Sequence, residues 1–370
     1  MEKSQKRLIL FMPSMEGGGV EKNLILIANF LSNYLNNITL ITFDNNFNKY
    51  FNKKIRIIYE KNFAYGKSYS KYYKYFKCLI LLANEFFKDR NILVFSFQAN
   101  IYSIIFSSIL GYKIIARSNS SPSGWTKNFL KNIVFNFFLR FADAIIVNSK
   151  EFQNEFWKKF KIRAALIYNP LNKNEIIKKS KIPLKVNFFK SKNHLKIINI
   201  GRFTDQKDHE TLLKSFEIIN KKIKCKLIIM GYGANKYKIL NSVKKKKLDK
   251  SVKVLKFQKN PFNFIKKADL LVLTSKFEGL PNVLLEAQTL KKYVISSNCP
   301  TGPSEILKNG KLGDLFEIGD YKDLSMKIIK FDKKRESYNS KIKLAYKKLD
   351  RFDFKNNCIK YLKIIKKNLK

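Results

Sequence analysis

Two basic and two acidic side chains in the second half of the chain have the types and spacing to bind a charged ligand that also carries hydroxyl groups. Arg202 and Lys207 stand five residues apart in a predicted strand-to-helix loop, where two cations can converge on a diphosphate. Glu278 and Glu286 flank a predicted helix start, and carboxylates accept hydrogen bonds from the hydroxyls of a sugar or a ribose. Because the chain is so basic, solvated surface cations remain an alternative for the first pair.

Backbone groups between the two carboxylates add to this predicted site. The N–H groups at a helix start have no partner within the helix and favour an anion. We expect Pro281 at the first helical position, where its fixed φ angle suits a helix. The residues that would contribute backbone here are Gly279, Leu280, Pro281, Asn282 and Val283.

Two glycine-rich loops follow predicted strands and would let a ligand approach the backbone closely. The first is Glu16-Gly17-Gly18-Gly19-Val20-Glu21, which opens a helix and makes Gly18 and Gly19 candidates for an anion site. It lacks the GxGxxG spacing of dinucleotide-binding proteins. The second is Gly231-Tyr232-Gly233, which allows a flat base or a phosphate near the backbone. A plain tight turn remains the alternative for both loops.

These loops belong to a chain in which short apolar runs alternate with helical patterns, as is typical of βαβ units in a parallel sheet. In the first half a helix is predicted at 20–35, and strands at 7–12, 38–43, 92–97, 113–116 and 144–147. The alternation then restarts with strands at 195–200, 226–230, 252–257, 270–274 and 293–297. Helices are predicted there at 208–222, 234–247, 281–291, 303–309 and 354–369.

This organisation predicts an α/β protein with two doubly wound, Rossmann-like domains that face each other across a cleft. Ligands of such sheets bind at the carboxyl ends of the strands, where the candidate loops stand. A segment rich in Lys and Asn, with Pro170 and Pro183, suggests the boundary. We expect an N-terminal domain, a linker, a C-terminal domain and a last helix that packs back toward the N-terminal domain, at 1–175, 176–194, 195–350 and 351–370.

The charge of the chain is extreme, with 74 basic and 28 acidic residues and a formal net charge of +46. Nucleic acid and an anionic membrane surface are the partners that such a charge suggests. The basic residues are spread along the chain and no nucleic-acid-reading motif is visible, which disfavours specific nucleic-acid binding. A general compositional bias toward Lys explains the charge equally well.

Other features narrow the class of protein further. Four cysteines lie far apart without a CxxC pair, so neither a disulfide framework nor a zinc site is expected. The beginning of the chain does not read as a signal peptide, and we expect a reducing cytosol. Residues 92–112 carry no charge, but their serines, Gln98 and Asn100 favour a buried strand and a core helix over a membrane span.

Several of these motifs resemble those of a known family. The Glu278-x7-Glu286 element resembles the EX7E motif of retaining glycosyltransferases with the GT-B fold, in glycosyltransferase family 4 (group 1). Gly18-Gly19-Val20-Glu21 resembles the GGxE loop of that family, and Gly201-Arg202 with Lys207 resembles its phosphate loop. Segments 257–288 and 296–307 resemble the subgroup that extends lipid-linked oligosaccharides, O-antigen or capsule units, including N-acetylgalactosaminyl- and galactosyltransferases. The resemblance is specific over 195–320 and looser over 1–170.

The resemblance implies a role for each matching residue. Arg202 and Lys207 would neutralise the donor diphosphate as charge builds on the leaving group. Glu286 would bind the ribose hydroxyls and Glu278 the transferred sugar. Backbone from 279–283 and from the first glycine loop would hold phosphate and sugar, and the second glycine loop would border the nucleotide. No cofactor and no metal ion would be needed, because the two cations do the neutralising.

One departure concerns the histidine that many relatives carry in an N-domain loop. This chain has only His194 and His209, and both lie beyond the predicted boundary. The corresponding loop is Arg117-Ser118-Asn119-Ser120, whose Arg117 and Asn119 are candidates for binding sugar or acceptor phosphate. The leaving phosphate itself would then help to accept the proton during a retaining transfer.

The resemblance implies a UDP-hexose or UDP-N-acetylhexosamine as donor and a lipid-linked saccharide or polysaccharide precursor as acceptor. The N-terminal domain would take the acceptor and the C-terminal domain the donor. Segment 125–141 is predicted as an amphipathic helix at a bilayer surface or, equally, as a core helix. We expect a cytoplasmic protein held peripherally at the inner face of the membrane. A nucleic-acid-binding protein and a GT-B-like sugar-nucleotide binder without turnover remain alternatives.

Overall fold

The computed structural model describes residues 6–61, 69–119, 129–184, 187–189 and 193–370, with side chains from 132 onward in the helix that begins at 129. The chain divides into two compact units. The first unit combines Met1–Pro170 with Phe354–Lys370, and the second is the continuous segment Leu171–Asp353. Each unit contains one parallel sheet with helices on its faces, so the predicted α/β class with two Rossmann-like domains is confirmed.

The first unit is built on seven parallel strands among its described residues, in the order β3-β2-β1-β4-β5-β6-β7. The central strands are short apolar runs buried on both faces, as expected where helices cover a parallel sheet. Their bounds are β1 (Arg7–Phe11), β2 (Ile38–Ile41), β3 (Ile55–Ile58), β4 (Ile92–Ser96), β5 (Lys113–Arg117), β6 (Ala144–Val147) and β7 (Ala165–Leu166).

Helices cover both faces of this sheet. One face buries residues of the second to fifth helices, such as Cys78, Phe86 and Phe156. The other face buries the first helix and the C-terminal helix Phe354–Leu369, which contributes Tyr361 and Ile365. The first five helices are α1 (Gly19–Leu31), α2 (Lys71–Lys88), α3 (Asn100–Leu110), α4 (Phe129–Leu139) and α5 (Lys150–Phe160).

The second unit repeats the same plan. Its described residues form six parallel strands in the order β10-β9-β8-β11-β12-β13. The strands are β8 (Leu195–Ile200), β9 (Cys225–Gly231), β10 (Val252–Lys256), β11 (Leu270–Leu273), β12 (Tyr293–Ser297) and β13 (Asp314–Phe316). Its helices are α6 (Lys173–Ser180), α7 (His209–Lys222), α8 (Lys236–Lys245), α9 (Phe262–Lys267), α10 (Asn282–Thr289), α11 (Pro303–Ile306), α12 (Tyr321–Lys333) and α13 (Asn339–Lys347). The C-terminal helix of the first unit, Phe354–Leu369, is α14.

The structure differs from the sequence-based expectation around the predicted linker. Helix α6 overlaps its first residues and packs against α9 and α10 of the second unit. The side chain of Asn172 caps this helix by accepting from the backbone N–H of Glu175 at 3.1 Å. The Lys- and Asn-rich composition concealed the helix because only one of its faces, around Ile176, is buried.

The segment predicted as an amphipathic helix at 125–141 lies partly outside the described residues. Its described part is α4, which packs against α3 and buries Leu139. On the same helix Ile133, Val134 and Phe137 are 51%, 45% and 58% exposed. The helix therefore has both a core face and an exposed apolar face. Within the described ranges, the structure contains no helix with the length and apolar character to cross a bilayer.

Candidate functional site

The loops that follow β8 and β11 lie side by side, where the second sheet reverses its strand order. In open α/β sheets this reversal creates a crevice at the carboxyl ends of the strands. Three hydrogen bonds of 2.8 Å join the loops: Gln206 Nε2 donates to the carbonyl of Phe277, the N–H of Lys276 donates to the carbonyl of Gln206, and Thr274 Oγ1 donates to the carbonyl of Lys207. The loops therefore hold their side chains in a fixed relation.

Lys207 and Glu278 form an ion pair across the two loops. Nζ of Lys207 donates to Oε1 of Glu278, and Oγ of Ser275 donates to the same oxygen at 2.6 Å. The two charged side chains are only 14% and 9% exposed. Among the residues that the structure describes, none bonds Oε2 of Glu278, and the ammonium has used one of its three donors. The pair can therefore accept from a hydroxyl and donate to an anion at the same place.

The remaining charged candidates belong to the same pair of loops and the helix that follows them. Arg202 is exposed, with Nη2 3.4 Å from Oε1 of Gln206. Glu286 lies in the second turn of α10 and is 6% exposed. The structure thus gathers Arg202, Lys207 and Glu278 on hydrogen-bonded loops, and it carries Glu286 on the helix that continues from the second loop.

Pro281 does not occupy the first helical position that the sequence predicted. It is the N-cap of α10, with φ −71° and an extended ψ of 105°. Its carbonyl accepts from the N–H of Leu284 at 3.1 Å. The ring fixes φ but leaves ψ free, so Pro281 can end the loop as well as begin a helix.

Gly231 and Gly233 have a packing role in addition to the predicted one. A Cβ atom on Gly231 would stand 1.8 Å from the carbonyl oxygen of Gly201. Gly233 has φ +140°, and a Cβ there would stand 2.5 Å from the carbonyl oxygen of Phe203. These glycines let the loops after β8 and β9 touch backbone to backbone. Their predicted contact with the nucleotide stays a prediction.

The Gly18-Gly19 loop belongs to the first unit. Gly18 is the N-cap of α1 and Gly19 is its first residue, at the end of the loop that follows β1. The loop is closed by Glu21, which is 8% exposed and whose Oε1 accepts from the backbone N–H of Glu16 at 3.2 Å. Glu21 therefore shapes the loop, and its carboxylate is turned toward the chain's own backbone.

His209 is not among the residues that the sequence predicts for the site, although it begins α7, the helix after the Lys207 loop. It is 5% exposed, and its ring meets that of Phe203 edge to face with centroids 5.5 Å apart. Burial, with the Lys207 charge adding to it, lowers the pKa of His209 to about 4. The imidazole is therefore neutral near pH 7 and packs against Phe203. Its position directly after the motif was the available signal.

Arg117 and Asn119 are not available for an acceptor, contrary to the sequence-based hypothesis. Arg117 is fully buried, with Nε donating to the hydroxyl of Tyr361 at 2.9 Å and Nη2 to Oδ1 of Asn169 at 2.7 Å. Its Nη1 donates to Oδ1 of Asn119, and Nδ2 of Asn119 donates to the carbonyl of Phe97 at 2.6 Å. These bonds use the polar atoms of both side chains to fasten the end of β5 inside the first unit.

Cysteine and metal chemistry find little support in the described residues. All four cysteines are buried, and burial together with the nearby Glu278 carboxylate raises the pKa of Cys299 to about 12. Such a thiol is a poor nucleophile at neutral pH. Within the described ranges, no three His, Cys, Asp or Glu side chains come together in a group that could hold a metal ion. Turnover without a metal stays a prediction.

Solved structures match this architecture over nearly the whole chain. The Anabaena protein HepE, crystallised in complex with UDP-glucose, superposes with a TM-score of 0.81 at 18% identity and covers 98% of this chain and 100% of its own. Two Rossmann-like parallel sheets with this match define a GT-B fold. Residues 181–348, which contain the candidate loops of the second unit, match the family model "Glycosyl transferases group 1".

Curated relatives point to the same class of enzyme. An uncharacterized glycosyltransferase of Methanocaldococcus jannaschii is 37% identical over 182 residues, which cover 47% of this chain and 44% of that protein. The N-acetylgalactosamine-N,N'-diacetylbacillosaminyl-diphospho-undecaprenol 4-alpha-N-acetylgalactosaminyltransferase of Campylobacter jejuni is 26% identical over 276 residues, covering 70% and 73%. The chain thus spans less than half of the first relative and about three quarters of the second. Together with the group 1 match, these relatives support a glycosyltransferase of the hexosyltransferase type.

Proposed function

We propose that the chain transfers a hexose or N-acetylhexosamine from a UDP-sugar to a lipid-linked saccharide, or to a related polysaccharide precursor, with retention of the anomeric configuration. The observation that carries the proposal is the Lys207–Glu278 pair at the strand-order reversal of the second sheet, with Arg202 on the same loop. Such a site can meet a diphosphate and a sugar hydroxyl together. The UDP-glucose complex of the Anabaena protein supports this class of donor.

The chemistry of the donor half follows from the charges. Transfer leaves negative charge on the diphosphate, and fixed cations in a partly buried site stabilise that charge more than water does. Lys207 is held in place by Glu278, so little reorganisation is needed. Arg202 offers a forked set of donors from the exposed side. Oε2 of Glu278 accepts from a hydroxyl of the transferred sugar, and Glu286 binds the ribose.

Retention and metal independence are parts of the same proposal. Two cations in place of a metal would carry the diphosphate charge, and the leaving phosphate would take the proton of the attacking hydroxyl. His209 is buried and its pKa of about 4 makes it a weak base, and the thiol of Cys299 stays protonated at neutral pH, so neither is suited to act as the general base. Proton NMR of the product should therefore give the same anomeric configuration as the donor, at a rate that EDTA leaves unchanged.

We propose in addition that the protein acts at the inner face of an anionic membrane. The net charge of +46 and the exposed apolar residues of α4 support such a surface contact, since each basic residue near an anionic leaflet adds about 1 kcal/mol of attraction. Sedimentation with vesicles of phosphatidylglycerol and phosphatidylcholine should exceed that with phosphatidylcholine alone, and it should fall with salt. Equal sedimentation with both vesicles would contradict this part of the proposal.

The donor site is tested by measuring the hydrolysis of a panel of UDP- and GDP-sugars. Release of the nucleotide is the signal that is recorded. Lys207→Ala and Glu286→Ala should each lower turnover of the active donor, the first by about 10²–10³-fold because it removes a preorganised charge. Lys221→Ala and Glu336→Ala are matched controls, since both residues are exposed and lie away from the loops. Wild-type turnover of every active donor by both site variants would refute the assignment.

A further inference from the structure

The first sheet has a strand-order reversal of its own. Its order changes direction between β1 and β4, just as that of the second sheet changes between β8 and β11. In an open α/β sheet this is where a crevice forms at the carboxyl ends of the strands. In the second unit the equivalent place holds Arg202, Lys207 and Glu278. A transferase binds two substrates, and the side chains at the first reversal are candidates for binding the second of them.

Two loops meet at this first reversal. Glu16 follows β1 and is exposed, and Oγ of Ser14 donates to its Oε1 at 3.4 Å. Gln98 follows β4, and its Oε1 accepts from the N–H of Ser14 at 2.8 Å, which joins the loops. Ala99, the next residue, has φ +58° at the start of α3. A left-handed backbone at a non-glycine residue costs energy and is found preferentially at binding sites.

Three tyrosines lie on α2 and on α3, the helix that begins at the second of these loops. The rings of Tyr75 in α2 and Tyr102 in α3 have centroids 5.8 Å apart, and Tyr72 meets Tyr75 edge to face at 6.4 Å. Tyr72 and Tyr102 are 59% and 43% exposed. Burial raises the pKa of Tyr75, and the nearby Tyr102, Tyr72 and Glu16 raise it further. The loop that carries Glu16 is joined to the start of α3 by the bond from Ser14 to Gln98, and Tyr102 lies in the first turn of that helix. The three rings lie outside the hydrophobic core on this face of the sheet, to which α2 contributes Cys78 and Leu82.

This combination suits one class of ligand. A pyranose has apolar faces of C–H groups and an edge of hydroxyls. Exposed aromatic rings can bury the apolar C–H faces, and a carboxylate accepts hydrogen bonds from the hydroxyls. A few polar groups among aromatic side chains are the usual composition of a small-molecule site. The tyrosines and the carboxylate converge here from α2, α3 and the loop after β1.

We propose that Tyr75, Tyr102 and Glu16 form the subsite for the acceptor saccharide, with a pyranose ring against the tyrosines and one of its hydroxyls donating to Glu16. The proposal rests on the glycosyltransferase function given above. It assigns the acceptor to the strand-order reversal of the first sheet, directly beside the Gly18-Gly19 loop. The acceptor is a glycan with a pyranose at its accepting end, and specificity for that sugar resides in these three side chains.

The test is saturation-transfer NMR with the octyl β-glycosides of glucose, galactose, N-acetylglucosamine and N-acetylgalactosamine, in the presence of UDP. At least one glycoside should receive saturation at its ring protons. Tyr102→Ala, Tyr75→Ala and Glu16→Gln should each weaken its binding about tenfold or more, the loss expected for a stacking ring or a charged hydrogen bond. Tyr34→Ala is the matched control, because Tyr34 is 49% exposed and follows α1, away from the crevice.

Two results would overturn the subsite. One is that none of the four glycosides binds the wild-type protein. The other is that all three variants bind the recognised glycoside as tightly as the wild type does, with Tyr34→Ala behaving alike. Hydrolysis of UDP- and GDP-sugars by the wild-type protein is measured on the same sample. Failure of hydrolysis counts against the proposed function, whereas intact hydrolysis with unchanged glycoside binding counts against the acceptor subsite alone.

Discussion

Replacing Lys207 by Met separates the structural role of the ion pair from its catalytic role. Methionine keeps much of the length and the apolar stem of lysine but removes the charge. The Glu278 carboxylate, 9% exposed, then retains only the hydroxyl of Ser275 as a side-chain partner among the described residues. Removing one member of a buried pair costs about 3–5 kcal/mol, because the other charge is left without compensation.

This cost predicts a measurable change in melting temperature. The second unit, Leu171–Asp353, falls in the size range where 1 kcal/mol shifts the melting temperature by about 2–4 °C. Lys207→Met should therefore lower the transition of that unit by about 6–20 °C. Adding Glu278→Gln removes the stranded charge, and the amide can still bond Ser275. The double variant should recover most of the lost stability.

Turnover should respond differently from stability. The double variant still lacks a cation for the diphosphate, so UDP-sugar hydrolysis should remain about 10²–10³-fold below wild type. The assay is UDP release at a temperature where every variant is folded, beside differential scanning calorimetry of the same samples. If the double variant recovered wild-type hydrolysis, Lys207 would serve only as the partner of Glu278. If Lys207→Met melted like the wild type, the pair would not be buried.

Three further substitutions have outcomes fixed by the geometry. Gly231→Ala should lower the free energy of unfolding, measured by urea denaturation, by about 1–3 kcal/mol. The new Cβ would stand 1.8 Å from the carbonyl oxygen of Gly201. Tyr361→Phe should cost about 1–3 kcal/mol in the same assay, since it leaves Nε of the buried Arg117 without its acceptor. The folded-state pKa of His209, about 4, is below its unfolded value, so its contribution is present above pH 6.5 and is lost as pH falls toward 4. That loss is about 3 kcal/mol, and His209→Phe should flatten this part of the stability–pH profile.

Each of these predictions has a matched comparison. Gly111→Ala meets no atom within 4 Å, so its cost is limited to the strain of φ +77°. Tyr34→Phe removes a hydroxyl from a half-exposed ring and should leave the urea midpoint unchanged. For His209→Phe the comparison is the wild-type profile, which should keep its slope between pH 6.5 and 4. Equal effects from a substitution and its comparison would contradict the stated cause.

Most of the fold could be predicted from the sequence, because the central strands are apolar runs with their own boundaries. Strands at 195–200 and 293–297 agree with the structure at both ends. The elements that escaped prediction have weaker patterns. β3 exposes Arg56 on an edge strand, and α12 mixes charged residues through its first turns. Amphipathic surface elements of this kind are selected by packing against a sheet, which a local pattern does not contain.

The charged residues of the candidate site could be predicted from the sequence, but the residues that hold them in place by hydrogen bonds could not. Arg202, Lys207 and Glu278 were identified by type and spacing, and the structure carries them on adjoining loops. Ser275 and Gln206 were not identified, because serine and glutamine are common in loops. The carbonyl that Gln206 binds lies 71 positions away in Phe277, and Ser275 binds the carboxylate of Glu278 through a loop shape that the sequence does not reveal. Arg117 was misjudged for a related reason. Its partners Asn169 and Tyr361 come from distant parts of the chain, and local sequence could not indicate burial.

The return of α14 to the first sheet has a consequence for how the protein is made. The second unit is one uninterrupted stretch and can fold as soon as it has left the ribosome. The first unit begins earlier but lacks Tyr361 and Ile365 in its core until α14 has been synthesised. At about 5–20 residues per second, its early strands wait about 10–40 seconds for that helix. During synthesis the first unit is therefore completed after the second, and its incomplete core is the state that chaperones would meet.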